Sequence, residues 1–275
     1  MLTNKYDAFI FDFYGTLAEI KTNENKPYLW KKCAQILTEM GYPYDAKTLR
    51  REYISFVLEE KEKLAPYYEC PEIELRHVFR KLMSPWATDE EIVQFAITFR
   101  VLSREYIFLY EEIHAIFDYL HSLDKKVYLL SNAQSCFTVP EMKALGIYES
   151  FDDIFISSDY ECAKPDPKFM NMLIKKHKLD VSRSLMIGNE VTSDIAIANA
   201  VGMDSFYIRT LTSSDAVPAV LTALMVPFSA GLNASVSTAP ADMKSGVGYA
   251  ATYADMESGE LRLRHFNTDF SEHFH

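Results

Sequence analysis

Four stretches of the chain end in side chains that can do chemistry. Ala8-Phe9-Ile10-Phe11 runs into Asp12, and Tyr14, Gly15 and Thr16 follow at once. Val127-Tyr128-Leu129-Leu130 runs into the hydroxyl of Ser131 and the amide of Asn132. Lys164 stands before Pro165-Asp166-Pro167, a rigid turn ahead of a helical pattern. Ser184-Leu185-Met186-Ile187 meets Gly188, then Asn189, Glu190 and, four residues on, Asp194. Singly, each has an ordinary reading. Asp-x-x-Gly-Thr caps turns, Ser-Asn is common turn chemistry, a lone lysine is usually solvated, and an acid at a helix entry suits the macrodipole. Together they bring a carboxylate, hydroxyls, an ammonium group and an acidic loop to the ends of strands. A carboxylate ending a buried strand is costly unless it is used or paired.

The elements that must position these groups follow from the same runs. The apolar runs are short and aromatic-rich, as in strands buried on both faces of a parallel sheet. In open α/β sheets, ligands sit at the carboxyl ends of such strands. Between about 21 and 104 the pattern predicts no strand and four helices. Lys26 to Met40 carries Tyr28, Leu29, Cys33, Ile36 and Leu37 at helical spacing and stops at Gly41-Tyr42-Pro43. Asp45 is an N-cap for a second helix to Leu64. Pro71 opens a third, and Thr88 with Glu91 forms the capping-box pattern of a fourth. Residues 105 to 123 read as a helix, Ser135 to Leu145 as the next, and Phe151 to Ser157 as a short strand. Pro167 to His177 and the stretch from Asp194 to Val201 read as helices, and Asp204 to Ile208 as a last core strand. Strands alternating with helices predict a doubly wound parallel α/β sheet. Beyond 212 the pattern fades. Val217 to Met225 is a candidate helix, and Tyr249 to Asp255 with Glu260 to Phe266 is a candidate hairpin around Glu257-Ser258-Gly259.

Composition bounds the partners. The 275 residues contain 48% hydrophobic and 24% charged side chains, an ordinary globular balance. The formal charge of −11 disfavours nucleic acid or an anionic membrane as partner. It leaves room for a small anionic substrate, because a local lysine and a metal reverse the field inside a pocket. The four cysteines show no Cys-x-x-Cys spacing and read as buried free thiols. Residues 1 to 7 hold no apolar signal-peptide stretch, and no apolar run reaches the roughly 18 residues of a membrane span. The expectation is a cytoplasmic protein with an open oligomeric state.

The order aspartate, serine, lysine, acidic pair, each just past a strand, resembles the haloacid dehalogenase superfamily of hydrolases. The resemblance covers roughly residues 6 to 20 and 105 to 210. It implies a Rossmann-like core over 1–20 and 105–225, an inserted α-helical cap over 21–104 that closes over the strand ends, and an extension over 226–275 that it does not cover. It implies Asp12 as nucleophile forming an aspartyl ester, Lys164 neutralising nucleophile and substrate together, and Thr16, Ser131 and Asn132 binding substrate. It further implies Mg²⁺ held by Asp12, the backbone carbonyl of Tyr14 and Asp194, with Glu190 or Asn189 alongside. Two carboxylates and a carbonyl suit that hard cation.

The sequence departs from the family phosphatases at Tyr14, where they carry a second aspartate for acid–base work. Tyr14 is thus a candidate catalytic proton donor or a ring packed under the cap; with a reference pKa near 10 it is a poor base at pH 7. Asp-x-Tyr-Gly-Thr is instead the form of the 2-haloacid dehalogenases, whose reaction needs neither a leaving-group proton nor a metal. Against that form stand Met170, where those enzymes carry an aromatic residue, and Val191, where they carry an asparagine. Glu190 adds charge that Mg²⁺ would welcome and a haloacid carboxylate would not. The expectation is therefore a Mg²⁺-dependent phosphatase of a small phosphorylated metabolite. The alternatives are a metal-independent 2-haloacid dehalogenase and an impaired relative that only binds.

Overall fold

The computed structural model describes residues 2–110 and 112–208, together with the backbone of 247–251 and 264–267. A short helix α1 (Leu2–Lys5) precedes β1 (Ala8–Phe11). β1 lies between β4 (Lys126–Ser131) and β6 (Ser184–Gly188), parallel to both. β5 (Asp153–Ile156) continues the sheet outside β4, and β7 (Asp204–Ile208) continues it outside β6. These five strands are all parallel. β8 (Val247–Ala251) adds in parallel to β7, and β9 (Arg264–Asn267) pairs antiparallel with β8. The candidate helix 217–225 and the residues between β8 and β9 lie outside the described residues.

Period-two burial explains the two layers of helices. On one face Phe9, Phe11, Leu129 and Ile187 pack with Ile116, Phe117 and Leu120 of α6 (Ile113–Ser122) and Met142 of α7 (Ser135–Ala144). On the other face Ala8, Ile10, Leu130 and Met186 pack with Phe169, Met170 and Leu173 of α8 (Pro167–His177) and Ile197 of α9 (Ala196–Ala200). A strand whose odd and even residues both meet helices must be apolar throughout, and Ala8-Phe9-Ile10-Phe11 is. The chain winds from β1 to β4 and β5 on one side, then returns to β6 and β7 on the other. The crevice at the carboxyl ends of β4, β1 and β6 is thus the switch point of the sheet, the standard ligand position in this architecture.

The segment between β1 and α6 holds α2 (Pro27–Glu39), α3 (Ala46–Leu64), α4 (Leu75–Leu82) and α5 (Asp89–Ser103). Leu29, Cys33, Tyr53, Val78, Phe79, Phe95 and Phe99 give this segment its own apolar cluster. Phe137 of α7 inserts into it, its ring 6.3 Å from that of Phe99. Asp45 accepts from the N–H groups of Lys47 and Thr48, and Thr88 and Glu91 form a reciprocal capping box.

Two sequence expectations fail here. The third helix starts at Leu75, not Pro71, because Pro71 bridges to Cys162 and cannot also begin a helix. Residues 105–123 are not one helix. β3 (Arg104–Leu109) comes first and pairs antiparallel with β2 (Ala18–Thr22), and α6 begins only at Ile113. Tyr-Ile-Phe-Leu suits a strand, and cross-strand pairs such as Ile107 against Ile20 decide the outcome. This two-stranded ribbon carries the chain into and out of the helical segment. No helix among the described residues is long and apolar enough to cross a membrane.

Candidate active site

Asp12 continues β1 by donating its N–H to the carbonyl of Ile187 at 2.9 Å, which fixes its Cα at the end of β1, beside β6. Lys164 reaches the same point from the loop after β5. Its Nζ donates to Asp12 Oδ1 at 2.7 Å, to Asp194 Oδ1 at 2.6 Å and to the carbonyl of Leu130 at 2.8 Å. All three of its protons are thereby placed. Ser131 Oγ donates to Asp12 Oδ1 at 3.0 Å. Residues 12, 131, 164 and 194 therefore face one crevice, and all four are buried.

The electrostatics are those of a shared cation. Burial opposes charge on Lys164, but Asp12 and Asp194 outweigh it and its pKa rises. Burial pushes the Asp194 carboxyl up, assisted by the charge of Asp12 and opposed by Lys164. One ammonium group is thus shared between two buried carboxyl groups. Asp12 Oδ2 has no hydrogen-bond partner among the described residues.

Glycine is required twice. Gly15, at φ +79°, turns the chain after Tyr14, and a Cβ there would stand 2.4 Å from Asn189 Nδ2. At Gly188 a Cβ would stand 2.2 Å from Asp194 Oδ2, so only glycine lets that carboxylate lie against the end of β6. Asp194 itself sits in a π-helical turn, Val191–Ile195, ahead of α9, where a simple helix from Asp194 to Val201 is expected from sequence. The N–H of Glu190 donates to its Oδ2 at 3.0 Å.

The remaining sequence candidates have other partners. Asn132 clasps the backbone of Lys164: its Oδ1 accepts from Lys164 N–H at 2.7 Å and its Nδ2 donates to Lys164 O at 2.8 Å. Thr16 Oγ1 donates to Asn189 Oδ1 at 3.0 Å, which ties the first and last loops together. The Glu190 carboxylate is exposed and accepts from Thr192 N–H and Oγ1, capping the turn. Among the described residues no group of three or more His, Cys, Asp or Glu is arranged to hold a metal.

The hydroxyl of Tyr14 makes a short hydrogen bond to Glu141 and meets Thr138 Oγ1 at 2.9 Å. Burial, then the charge of Glu141, pushes its pKa well above that of ordinary tyrosine, so it stays protonated. Glu141 also accepts from Arg100 Nε at 2.8 Å and Arg104 at 2.9 Å. The Arg100 guanidinium lies over the Tyr14 and Phe137 rings. Sequence reading missed this cluster. Its one trace is Thr138 and Glu141 at i, i+3, two polar groups on an otherwise buried helix face.

A family model for haloacid dehalogenase-like hydrolases matches residues 6–202. The chain belongs to the haloacid dehalogenase-like hydrolases. Among hydrolases named as phosphatases, the phosphoglycolate phosphatase of Vibrio cholerae is 29% identical over 201 residues, which cover 71% of this chain and 81% of that one. The pyrimidine 5'-nucleotidase PynA of Streptococcus pneumoniae is 26% identical over 95 residues, 34% of this chain and 40% of that one. The crystal structure of a HAD phosphatase from Thermococcus onnurineus superposes with a TM-score of 0.51 at 17% identity, over 80% of this chain and 98% of that one, and shares the fold. This haloacid dehalogenase-like hydrolase thus carries its four sequence motifs on the loops at one end of its parallel sheet.

Proposed function

We propose that this hydrolase is a phosphatase acting on a small phosphorylated metabolite, with Asp12 as nucleophile. The observation that supports this most is Lys164, whose ammonium group spans Asp12 and Asp194 at 2.7 and 2.6 Å while Asp12 Oδ2 stays free of partners among the described residues. An ionised carboxylate needs no base. Asp12 Oδ2 attacks phosphorus, the bond from phosphorus to the ester oxygen breaks, and the leaving oxygen takes a proton from water or substrate. Water then attacks phosphorus, releasing phosphate and restoring the Asp12 carboxylate. Lys164 offsets the repulsion between carboxylate and phosphate. At an effective dielectric of 20 this repulsion is about 4 kcal/mol for unit charges 4 Å apart, and a phosphate dianion roughly doubles it.

The donor chemistry fits Mg²⁺: two buried carboxylates share one ammonium, and all donors are oxygen. Asp12, Asp194 and the carbonyl of Tyr14 would hold the ion. It would supply charge stabilisation for the transferring phosphoryl group. The helical segment 21–104 acts as the cap that excludes water from the crevice.

A second reading, a 2-haloacid dehalogenase, draws on one observation. The Tyr14 hydroxyl is engaged with Glu141, so residue 14 offers no free acid or base. Halide displacement at carbon requires none.

The test is turnover of a monoester panel that includes phosphoglycolate and pyrimidine 5'-nucleotides, with Mg²⁺ and with EDTA. Mg²⁺-dependent phosphate release that disappears in Asp12→Asn supports the reading. Release unchanged in Asp12→Asn overturns it, and chloride release from 2-chloropropionate in EDTA moves the assignment to the dehalogenase.

A further inference from the structure

Residues 67–74, between α3 and α4, and Leu75 at the start of α4 lie across the loops that carry the site. Ala163 donates its N–H to Cys70 O at 2.8 Å, Glu72 donates its N–H to Glu161 O at 3.0 Å, and Pro71 bridges to Cys162. This is a short antiparallel pairing that ends one residue before Lys164. The other edge of the strap is fastened by Gln134. Its Oε1 accepts from Leu75 N–H at 2.8 Å, and its Nε2 donates to Ile73 O at 2.8 Å and to Glu72 Oε1 at 3.0 Å. Glu72 also accepts from Ser157 Oγ at 3.3 Å, and Ser157 in turn accepts from Ala133 N–H at 2.9 Å. Gln134 lies two residues after Asn132, which clasps the backbone of Lys164. One loop thus fastens the helical segment with Gln134 and the lysine with Asn132.

We infer that residues 70–75 are a strap that sets the backbone of Lys164, and that Gln134 is its anchor, a positioning residue for the reaction proposed above, on which this inference rests. The reason is geometric. A lysine side chain has a flexible four-carbon stem, so its Nζ meets three acceptors at once only if its backbone is fixed. Asn132 fixes residue 164 from one side, and the strap fixes residue 163 from the other. Displacement of the helical segment breaks the Ala163–Cys70 bond and frees the peptide before the lysine.

The test compares wild type with Gln134→Ala in amide hydrogen exchange and in Mg²⁺-dependent hydrolysis of p-nitrophenyl phosphate. The expected result is exchange at Ala163 faster by at least about tenfold, with kcat lower by about 10–100-fold and KM within about threefold, because a misplacement near 1 Å acts on the chemical step. If Gln134→Ala does not fold, Gln134→Asn, one methylene shorter, takes its place. Unchanged exchange at Ala163 overturns the strap. Faster exchange with unchanged kcat overturns the positioning role. A wild type inactive on every monoester overturns the phosphatase reading instead, and exchange at Ala163 then decides the strap alone.

Discussion

Lys164 is the residue on which the local charge balance turns. Its ammonium is enclosed by Asp12, Asp194 and a carbonyl, so it cannot be removed without leaving two buried carboxylates face to face. Lys164→Met is expected to abolish turnover and to lower stability by about 3–5 kcal/mol, the usual result of breaking a buried pair from one side. Activity assay and denaturant unfolding check both parts. Residue 14 makes the opposite case. Tyr14→Asp returns the carboxylate of the family phosphatases to that position. General acid–base help is worth about 10²–10⁴ in rate, so kcat on phosphate monoesters is expected to rise. Tm is expected to fall in the same variant, since Glu141 loses a donor while remaining buried. A phosphate-release assay beside a melting curve measures the two.

At the scale of elements, caps and strand-end pairs do the fastening. Thr88 opens α5 with a reciprocal box, accepting from Glu91 N–H while Glu91 returns the bond to Thr88 N–H. Thr88→Ala is expected to cost about 1 kcal/mol, read as a lower denaturation midpoint at unchanged slope. Asp7, just before β1, pairs with Arg183 before β6 and Lys125 before β4. Arg183 first, then Lys125, hold its carboxyl down at about 2 against an ordinary 3.8. A carboxyl depressed in the folded state stabilises above its unfolded value and loses that contribution as pH falls through the folded one. Asp7→Asn should therefore lower Tm at neutral pH, and its difference from wild type should close as pH falls from 3.8 to about 2. Melting curves across that window check the sign.

For the whole molecule, the question is what ties the helical segment to the sheet. Besides the β2–β3 ribbon and the strap at 70–75, Glu141 of α7 joins Arg100 of α5 and Arg104 of β3 to Tyr14 of the first loop. Glu141 is buried, so its removal leaves two guanidinium groups without their shared acceptor. Glu141→Ala is expected to destabilise by about 3–5 kcal/mol and to open the 23–26 linker and the α5–β3 junction to protease before the sheet unfolds. Limited proteolysis with mass analysis of the fragments reads this out.

The parallel sheet and its helices were legible because a strand buried on both faces must be apolar throughout, and Ala8-Phe9-Ile10-Phe11 and Val127-Tyr128-Leu129-Leu130 announce that need without any tertiary information. The caps at Asp45 and Thr88 were legible for the same reason: the bonds are made within a few residues. So was the place of Asp12, Ser131, Lys164 and Asp194 at strand ends. Local pattern misled at β3, where pairing with β2 outweighed a sequence equally compatible with a helix, and at Pro71, which the Cys162 bridge held out of α4. It was silent on Tyr14 pointing to Glu141, on Asn132 clasping Lys164 and on Gln134 fastening the strap. Those bonds join residues separated by 32 to 127 positions, and only folding decides which polar groups meet. By itself the sequence determined which groups stand at the end of the sheet, since that depends on each strand alone. The tertiary structure decided which of them touch.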